Sequence, residues 1–282
     1  MTAPRTWQAL SICARQELTI AVRSRWTQLF AGAFAALALA VAISGYVLSG
    51  GHGVQDFART AASLVQLVML LVPLTALLLG VMTLASDRGN AELLFSQPVP
   101  RGVILIGRVL GVCEALIGAQ LLGFGAAGLV IYARAGDEGV VGFLAVAGAS
   151  IVLTVVCLGL AALIAAGNIG RRRSRALAVA LVTWLVMVVL FDLGALGIAS
   201  LLRSGAASRL LIAAAILNPV DAVRTGALLL VEGTAAFGSA SLALFRFAGS
   251  PLRAGLLLAM SLTLWMIVPL VLAARRLSRA EI

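Results

Sequence analysis

Residues 87–102, which read DRGNAELLFSQPVPRG, separate two long apolar runs at 61–86 and 103–132. About 20 mostly apolar residues are enough for a helix to cross a bilayer. Each run is therefore long enough to be a span, and the charged and proline-bearing residues between them form a loop at one membrane face. This pattern predicts membrane-spanning helices joined by short loops.

Four more runs have the length and composition of a span, at 28–48, 141–167, 176–202 and 254–274. The chain is 62% hydrophobic and 11% charged, whereas soluble domains are roughly half apolar and about a quarter charged. We therefore predict an all-α polytopic membrane protein with six transmembrane helices. No internal repeat is evident, so 1–282 is treated as a single transmembrane domain.

The basic residues indicate the orientation. All 21 are Arg, and the net charge is +10. Basic residues concentrate in cytoplasmic loops. With both termini in the cytoplasm, thirteen Arg residues fall in cytoplasmic segments and one in each of the two short external loops. The chain is thus expected in a bacterial inner membrane, and its charge points to the lipid bilayer and not to nucleic acid.

The N-terminal residues 5–24 form an amphipathic pattern that is too polar to span. Glu17 and Ile12 interrupt an otherwise apolar face. The residues of that face are Trp7, Leu10, Ala14, Leu18, Ala21 and Val22. Such a pattern is typical of a helix that lies in the membrane surface, and a soluble helix on a partner is the alternative.

The segment 203–253 is too apolar for a soluble loop but contains no clean span. Two short apolar stretches, 208–217 and 225–231, have polar residues between them. These are Asn218, Pro219, Asp221 and Arg224. We predict external re-entrant helices that enter the outer leaflet and return before the sixth span, and a further surface helix at 237–247.

Two acidic residues fall inside predicted spans, where an ionisable group needs a partner. Asp192 lies about 17 residues into the fifth run, in its outer half. We expect Asp192 to pair with Arg224 or to cap the backbone of the re-entrant segment. Glu114 lies near the cytoplasmic end of the third run, where Arg108 or a helix N-terminus is expected to neutralise it.

The loop at 87–102 is the candidate contact for a partner. Residues 90–96 have the spacing of a short helix, which Asp87 with Asn90 can cap and which the prolines after it terminate. An ordinary interhelical loop is the alternative. The candidate contact residues are Asp87, Arg88, Asn90, Glu92, Leu94, Phe95, Pro98 and Arg101. A second basic group either anchors lipid head groups or touches the same partner: Arg171, Arg172, Arg173 and Arg175.

Several activities lack the residues they need. A P-loop requires Lys, which this chain does not contain, so ATP and Mg²⁺ would bind a separate ATPase. His52 is the single His, and Met and Cys residues are scattered, so no bound cofactor, metal site or catalytic set is expected. A secondary transporter that works without ATP and an intramembrane enzyme stay open as other classes.

Taken together, the surface helix, six spans, cytoplasmic coupling helix between the second and third spans, and re-entrant segment resemble the ABC-2 (type V) transporter permeases. FDL at 191–193 and LNPVDAVR at 217–224 resemble the permeases of copper-processing ABC complexes that help mature nitrous oxide reductase in denitrification. The resemblance implies a homodimer, two copies of a cytoplasmic ATPase and a periplasmic solenoid protein. ATP hydrolysis would drive a conformational change that serves copper-site assembly, and export of a lipid, peptide or drug is the alternative.

Overall fold

A computed structural model of the chain describes residues 6–47, 53–85, 99–135, 140–168, 172–232 and 248–279. All regular secondary structure in these ranges is helical. The helices in chain order are α1 (Thr6–Arg23), α2 (Arg25–Val47), α3 (Gly53–Leu84), α4 (Arg101–Ala135), α5 (Val140–Gly167), α6 (Arg173–Leu201), α7 (Ser204–Leu217), α8 (Pro219–Glu232) and α9 (Pro251–Arg279). The surface helix expected at 237–247 lies outside the described residues.

Six helices of the described chain are long and apolar enough to cross a membrane, as predicted: α2 to α6 and α9. Each predicted run falls on one of them. Several helices are longer than their runs, because polar residues at their ends continue the helix. α4 has 35 residues and is about 52 Å long, whereas the hydrocarbon core of a bilayer is about 30 Å thick. Its ends therefore extend beyond the apolar region.

Successive spans alternate in direction. Arg101, the first residue of α4, donates from Nη1 to the carbonyl oxygen of Leu277 near the end of α9, at 3.1 Å. Arg173 at the start of α6 likewise donates to the carbonyl oxygen of Met82 near the end of α3. One end of the bundle therefore contains the starts of α2, α4 and α6 and the ends of α3, α5 and α9. We call it the arginine end.

The centre of the bundle is formed by α3, α4 and α5, whereas α2, α6 and α9 lie outside. More than half of the most apolar stretch of α5 is buried, against 11% for α6. A buried polar contact joins α4 to α5: Gln120 donates from Nε2 to Thr154 Oγ1 at 2.8 Å. Hydrogen bonds of this kind link helices where water is absent.

Helix α1 packs along the first turns of α4, because two glycines let it approach closely. A Cβ atom at Gly107 would lie 2.7 Å from the Cβ of Cys13, and Gly111 is equally close to α1. The apolar face of α1 that was predicted from the sequence is partly buried and partly exposed. Its small members, among them Ala14, are buried against α4, whereas Trp7 is 79% exposed.

The pair α7 and α8 bends by 100° at Asn218. The prediction that Pro219, Asp221 and Arg224 lie between two short helices was wrong, because α8 begins at Pro219. Proline suits the first helical position, where its missing N–H has no intrahelical acceptor, and it holds the preceding residue extended. Asn218, with φ −96° and ψ 118°, is that residue.

Both outer ends of this hairpin lie away from the arginine end. α7 follows directly on the end of α6, and Leu230 of α8 lines the same cleft as Leu144 and Leu252, near the starts of α5 and α9. The bend itself reaches the middle of the bundle, because Asn218 contacts Met187, halfway along α6. There α6 contains a π-helical turn at Val186–Leu190.

Candidate functional site

The position of the segment between α3 and α4 follows from the two helix ends that it joins. The candidate contact residues Asp87, Arg88, Asn90, Glu92, Leu94, Phe95 and Pro98 lie outside the described residues. Arg101 is described, and its bond to Leu277 fixes the start of α4 beside the last turns of α9. The segment therefore leaves and re-enters the bundle at the arginine end.

The end of α3, from which this segment leaves, is held by arginines from two other helices. The last carbonyl groups of a helix have no intrahelical donors, and its C-terminus favours positive charge. Arg173 of α6 donates from Nη2 to the Met82 carbonyl, and Arg108 of α4 donates from Nη2 to the Thr83 carbonyl. We call these two arginines, their two carbonyls and Glu17 the α3 cap cluster.

Glu17 connects α1 to this cluster. Its Oε2 accepts a hydrogen bond from Arg108 Nε at 2.9 Å, and the two side chains are only 8% and 17% exposed. This pair explains why a carboxylate interrupts the face of α1, which the sequence analysis recorded without a reason. Burial also raises the pKa of the nearby Cys13 thiol and outweighs the opposing charge of Arg108.

The other predicted basic and acidic residues at this end behave differently. Arg171 lies outside the described residues. Arg172, Arg173 and Arg175 are all exposed, but only Arg173 of these three has a hydrogen bond to another helix among the described residues. Glu114 lies on an exposed part of α4, and no described ion pair joins it to Arg108. The expected pairing with Arg108 was wrong, because residues six apart do not share a helix face, unlike residues three or four apart. The alternative, a helix N-terminus beside Glu114, stays a prediction.

A second polar group lies at the hairpin bend, and we call Asp192, Asn218, Asp221 and Arg224 the hairpin cluster. Asn218 Oδ1 accepts a hydrogen bond from the N–H of Val220 at 3.1 Å and so caps the start of α8. Its Nδ2 donates to the carbonyl of Met187 at 2.7 Å, inside the π-helical turn of α6. One side chain thus joins the bend to the irregular turn of a neighbouring span.

The predicted pairing of Asp192 with Arg224 is found. Arg224 Nη1 donates to Asp192 Oδ2 at 2.9 Å, and Nη2 donates to Asp221 Oδ1 at 2.6 Å. One guanidinium therefore bridges α6 and α8. Asp221 is 5% exposed, and its other oxygen accepts a hydrogen bond from Asn218 at 3.2 Å.

Helix α9 supplies the donors for the end of α7. Ser261 Oγ donates to the Ile216 carbonyl at 2.5 Å, and Trp265 Nε1 donates to the Leu217 carbonyl at 3.2 Å. Backbone that is not helical is tolerated inside an apolar bundle when neighbouring helices satisfy it in this way. Neither residue was predicted to have this role, because a lone Ser and a lone Trp within an apolar run carry no signal for it.

A wide apolar cleft of about 860 Å³ lies next to the hairpin, between α5, α8 and α9. Its lining includes Gly148, Val152, Gly226, Leu230 and Gly255. Cavities that bind drug-sized ligands are about 300–1,000 Å³ and mostly apolar, so the cleft has room for such a molecule. Among the described residues no three His, Cys, Asp or Glu side chains are grouped as metal ligands would be.

Comparison with known proteins agrees with this architecture. Residues 11–282 match the family model of the ABC-2 family transporter protein. A protein of Pseudomonas aeruginosa described as "Probable ABC transporter permease protein NosY" is 36% identical over 217 residues, which cover 75% of this chain and 78% of that protein. A protein of Stutzerimonas stutzeri with the same description is 34% identical over 267 residues, covering 92% and 94%. The chain therefore belongs to the ABC-2 transporter family and is a multi-span ABC transporter permease similar to NosY.

Proposed function

We propose that this chain is the membrane subunit of an ATP-driven complex and that a separate cytoplasmic ATPase binds the segment at 87–102. Two observations support the proposal. The chain has no Lys with which to form a P-loop, so nucleotide hydrolysis falls to another subunit. The segment also joins the ends of two spans at the arginine end, where basic residues favour the cytoplasmic side.

The observation that carries the mechanism is that α6 belongs to both polar clusters. Arg173, its first residue, holds the end of α3, while the Met187 carbonyl and Asp192 contact the hairpin. The helical rise places Asp192 about 28 Å along α6 from Arg173. A force on the segment moves the end of α3, Arg173 transfers the displacement to α6, and α6 moves the hairpin. In this proposal the π-helical turn at Val186–Leu190 is the place where α6 would bend.

In the proposed membrane arrangement the arginine end and both termini face the cytoplasm. α1 lies in the cytoplasmic surface with Trp7 and other exposed apolar side chains toward lipid. The hairpin is re-entrant from the periplasmic side, because both of its outer ends lie at the other end of the bundle. A hairpin moved by α6 would therefore deliver the displacement to the periplasm.

The finer assignment follows the resemblance to NosY. In the proposed complex two copies of this chain form a homodimer, carry two ATPase subunits and meet a periplasmic solenoid protein. The complex serves copper-site assembly of nitrous oxide reductase. Soft metal ligands are few and scattered in the sequence, which supports transmission of force to the periplasmic partner and disfavours passage of copper through the membrane part.

The test is co-purification of the permease with its ATPase after a change in the segment. Phe95→Asp places a carboxylate on the apolar side of the predicted coupling helix, and we expect it to reduce ATPase binding by more than tenfold, the effect of removing one central apolar anchor. Ser278→Asp is the matched control, because it adds the same charge at an exposed position of the arginine end. Equal ATPase binding by wild type and Phe95→Asp would refute the proposal.

The cleft between α5, α8 and α9 supports a second candidate, an ABC-2 exporter of a lipid, peptide or drug. Its size and apolar lining suit such a cargo. An exporter requires ATPase activity that rises when an apolar cargo is added to the reconstituted complex. A force-transmitting permease requires activity that depends on the periplasmic partner instead.

A further inference from the structure

At the arginine end, a cavity of about 300 Å³ lies between α1, α2, α3, α4 and α6. Arg108 and Arg173 form one part of its wall, and Ser24 and Thr27, at the start of α2, form another. The remaining lining residues are Glu17, Ile20, Ala21, Leu79, Met82 and Thr83. The lining thus combines polar and apolar side chains.

Thr27 is the residue that points to a ligand. It is only 7% exposed, yet its hydroxyl has no hydrogen-bond partner among the described residues. Other helical threonines here donate to the carbonyl four residues earlier, as Thr19 does at 2.8 Å and Thr75 at 2.7 Å. Buried polar groups without partners are rare in folded proteins. A hydroxyl that lines a cavity in this state is available to a bound molecule.

The two arginines also have donors to spare. A guanidinium carries five N–H donors. Arg108 uses Nε and one N–H of Nη2, and Arg173 uses one N–H of Nη2, in the contacts that the structure describes. Two positive charges face the single carboxylate of Glu17, so the lining has a net positive charge. Paired guanidinium donors match the oxygens of a phosphate group.

We propose that this cavity binds the phosphodiester headgroup of an anionic phospholipid. Arg108, Arg173 and the hydroxyls of Ser24 and Thr27 contact the phosphate, and Ile20, Leu79 and Met82 contact the glycerol and the first part of an acyl chain. A lipid and not a free phosphate ion is favoured by these apolar lining residues and by the position of the cavity at the level where spans begin and end. The bound lipid would join α1 and α2 to the α3 cap cluster.

The experiment uses the full-length chain, delipidated in detergent, with phosphatidylglycerol, phosphatidylcholine or inorganic phosphate as the probe. Bound lipid is counted by native mass spectrometry, and the rise in Tm is followed as a second readout. We expect one phosphatidylglycerol per chain to remain bound and to raise the Tm. Phosphatidylcholine and inorganic phosphate should do neither.

Two variants remove donors from the cavity, and each has a matched control. Thr27→Val keeps the shape of the side chain, and Arg173→Gln keeps its polarity. Each should weaken phosphatidylglycerol binding about tenfold, the loss expected for one hydrogen bond to a charged group. Thr19→Val and Arg175→Gln make the same changes at exposed positions outside the cavity and should leave binding unchanged.

Three results would overturn the proposal. Unchanged lipid binding by Thr27→Val would show that anionic lipid adheres to the arginines in general. Equal losses in Arg173→Gln and Arg175→Gln would show the same. Full stabilisation by inorganic phosphate would show that the cavity takes an ion and not a lipid. If Arg173→Gln fails to fold, Thr27→Val decides, because it leaves every contact of the α3 cap cluster in place. None of these results depends on ATPase binding.

Discussion

In the α3 cap cluster the polar side chains come from three helices other than the one they cap, whereas in the hairpin cluster three of the four belong to the hairpin itself. Glu17, Arg108 and Arg173 reach the end of α3 from α1, α4 and α6. Asn218 and Arg224, by contrast, are six residues apart in one hairpin. The first cluster therefore joins helices that are distant in the sequence, whereas the second stabilises a local bend.

This difference predicts different consequences of mutation. The hairpin bend lies at mid-height of the bundle, where water cannot replace a lost hydrogen bond, so its polar groups should contribute mainly to stability. The α3 cap cluster lies at the end of the bundle, beside a cavity. Removing one of its arginines leaves carbonyls that water can reach. Its contribution should therefore be smaller for stability and larger for transmission from the segment to α6.

The largest effect is expected for Asn218→Leu. The change removes the cap of α8, the bond to the Met187 carbonyl and a donor to Asp221. Loss of a cap and of a buried partner should lower the free energy of unfolding by about 2–3 kcal/mol. Denaturant titration in detergent measures it. Asn168→Leu is the control, since the Asn168 side chain donates to the carbonyl of Ile164, four residues earlier in the chain, at 2.8 Å, and has no bond to another helix within the described part of the chain. Equal losses of unfolding free energy in the two variants would contradict a special role of the bend in stability.

The same difference explains how much could be read from the sequence. The six spans follow from runs of apolar residues, which depend on composition alone. The pairing of Asp192 with Arg224 was predicted because two charges at the same depth of an apolar bundle must meet. Asn218 and Pro219 lie next to each other, so a break in the chain was visible, although α8 begins earlier than predicted.

The α3 cap cluster could not be predicted in this way, because its bonded members are 25 to 91 residues apart: Arg173 reaches α3, and Arg108 reaches both α3 and α1. A side chain that will bond a backbone carbonyl on another helix has no partner residue in the sequence. One signal was available. Gly107 and Gly111, four residues apart, are the spacing that allows a helix to approach closely, and they bring Glu17 of α1 next to Arg108.

Within the hairpin cluster, a smaller loss of stability is expected for Arg224→Gln, and a still smaller one for Asp192→Asn. Arg224→Gln leaves Asp192 and Asp221 close together without their shared cation and should cost about 2 kcal/mol. Asp192→Asn keeps a hydrogen-bond acceptor and the contact between Arg224 and Asp221, so about 1 kcal/mol is expected. Unfolding in detergent and assembly with the ATPase are the two measurements. If Asp192→Asn leaves both unchanged, the pair has no role in holding α6 to the hairpin.

The smallest effect on stability is expected at the α3 cap cluster, in a double-mutant cycle of Glu17→Gln and Arg108→Gln. The coupling energy of the pair should be about 1 kcal/mol, because Arg108 keeps its hydrogen bond to the Thr83 carbonyl when Glu17 is changed and the glutamine side chain stays polar. The control cycle combines Glu17→Gln with Arg175→Gln, an exposed residue for which no ion pair with Glu17 is found among the described residues, and should give a coupling energy near zero. ATPase activity of the reconstituted complex is measured on these variants, on Arg173→Gln and on Asn218→Leu. If the cluster carries force from the segment to α6, Arg173→Gln lowers permease-dependent ATPase activity severalfold, because Arg173 joins α6 to the end of α3, while Asn218→Leu, at matched residual stability, lowers it less. The reverse order would assign the transmission to the hairpin and leave the arginines as caps of a helix end.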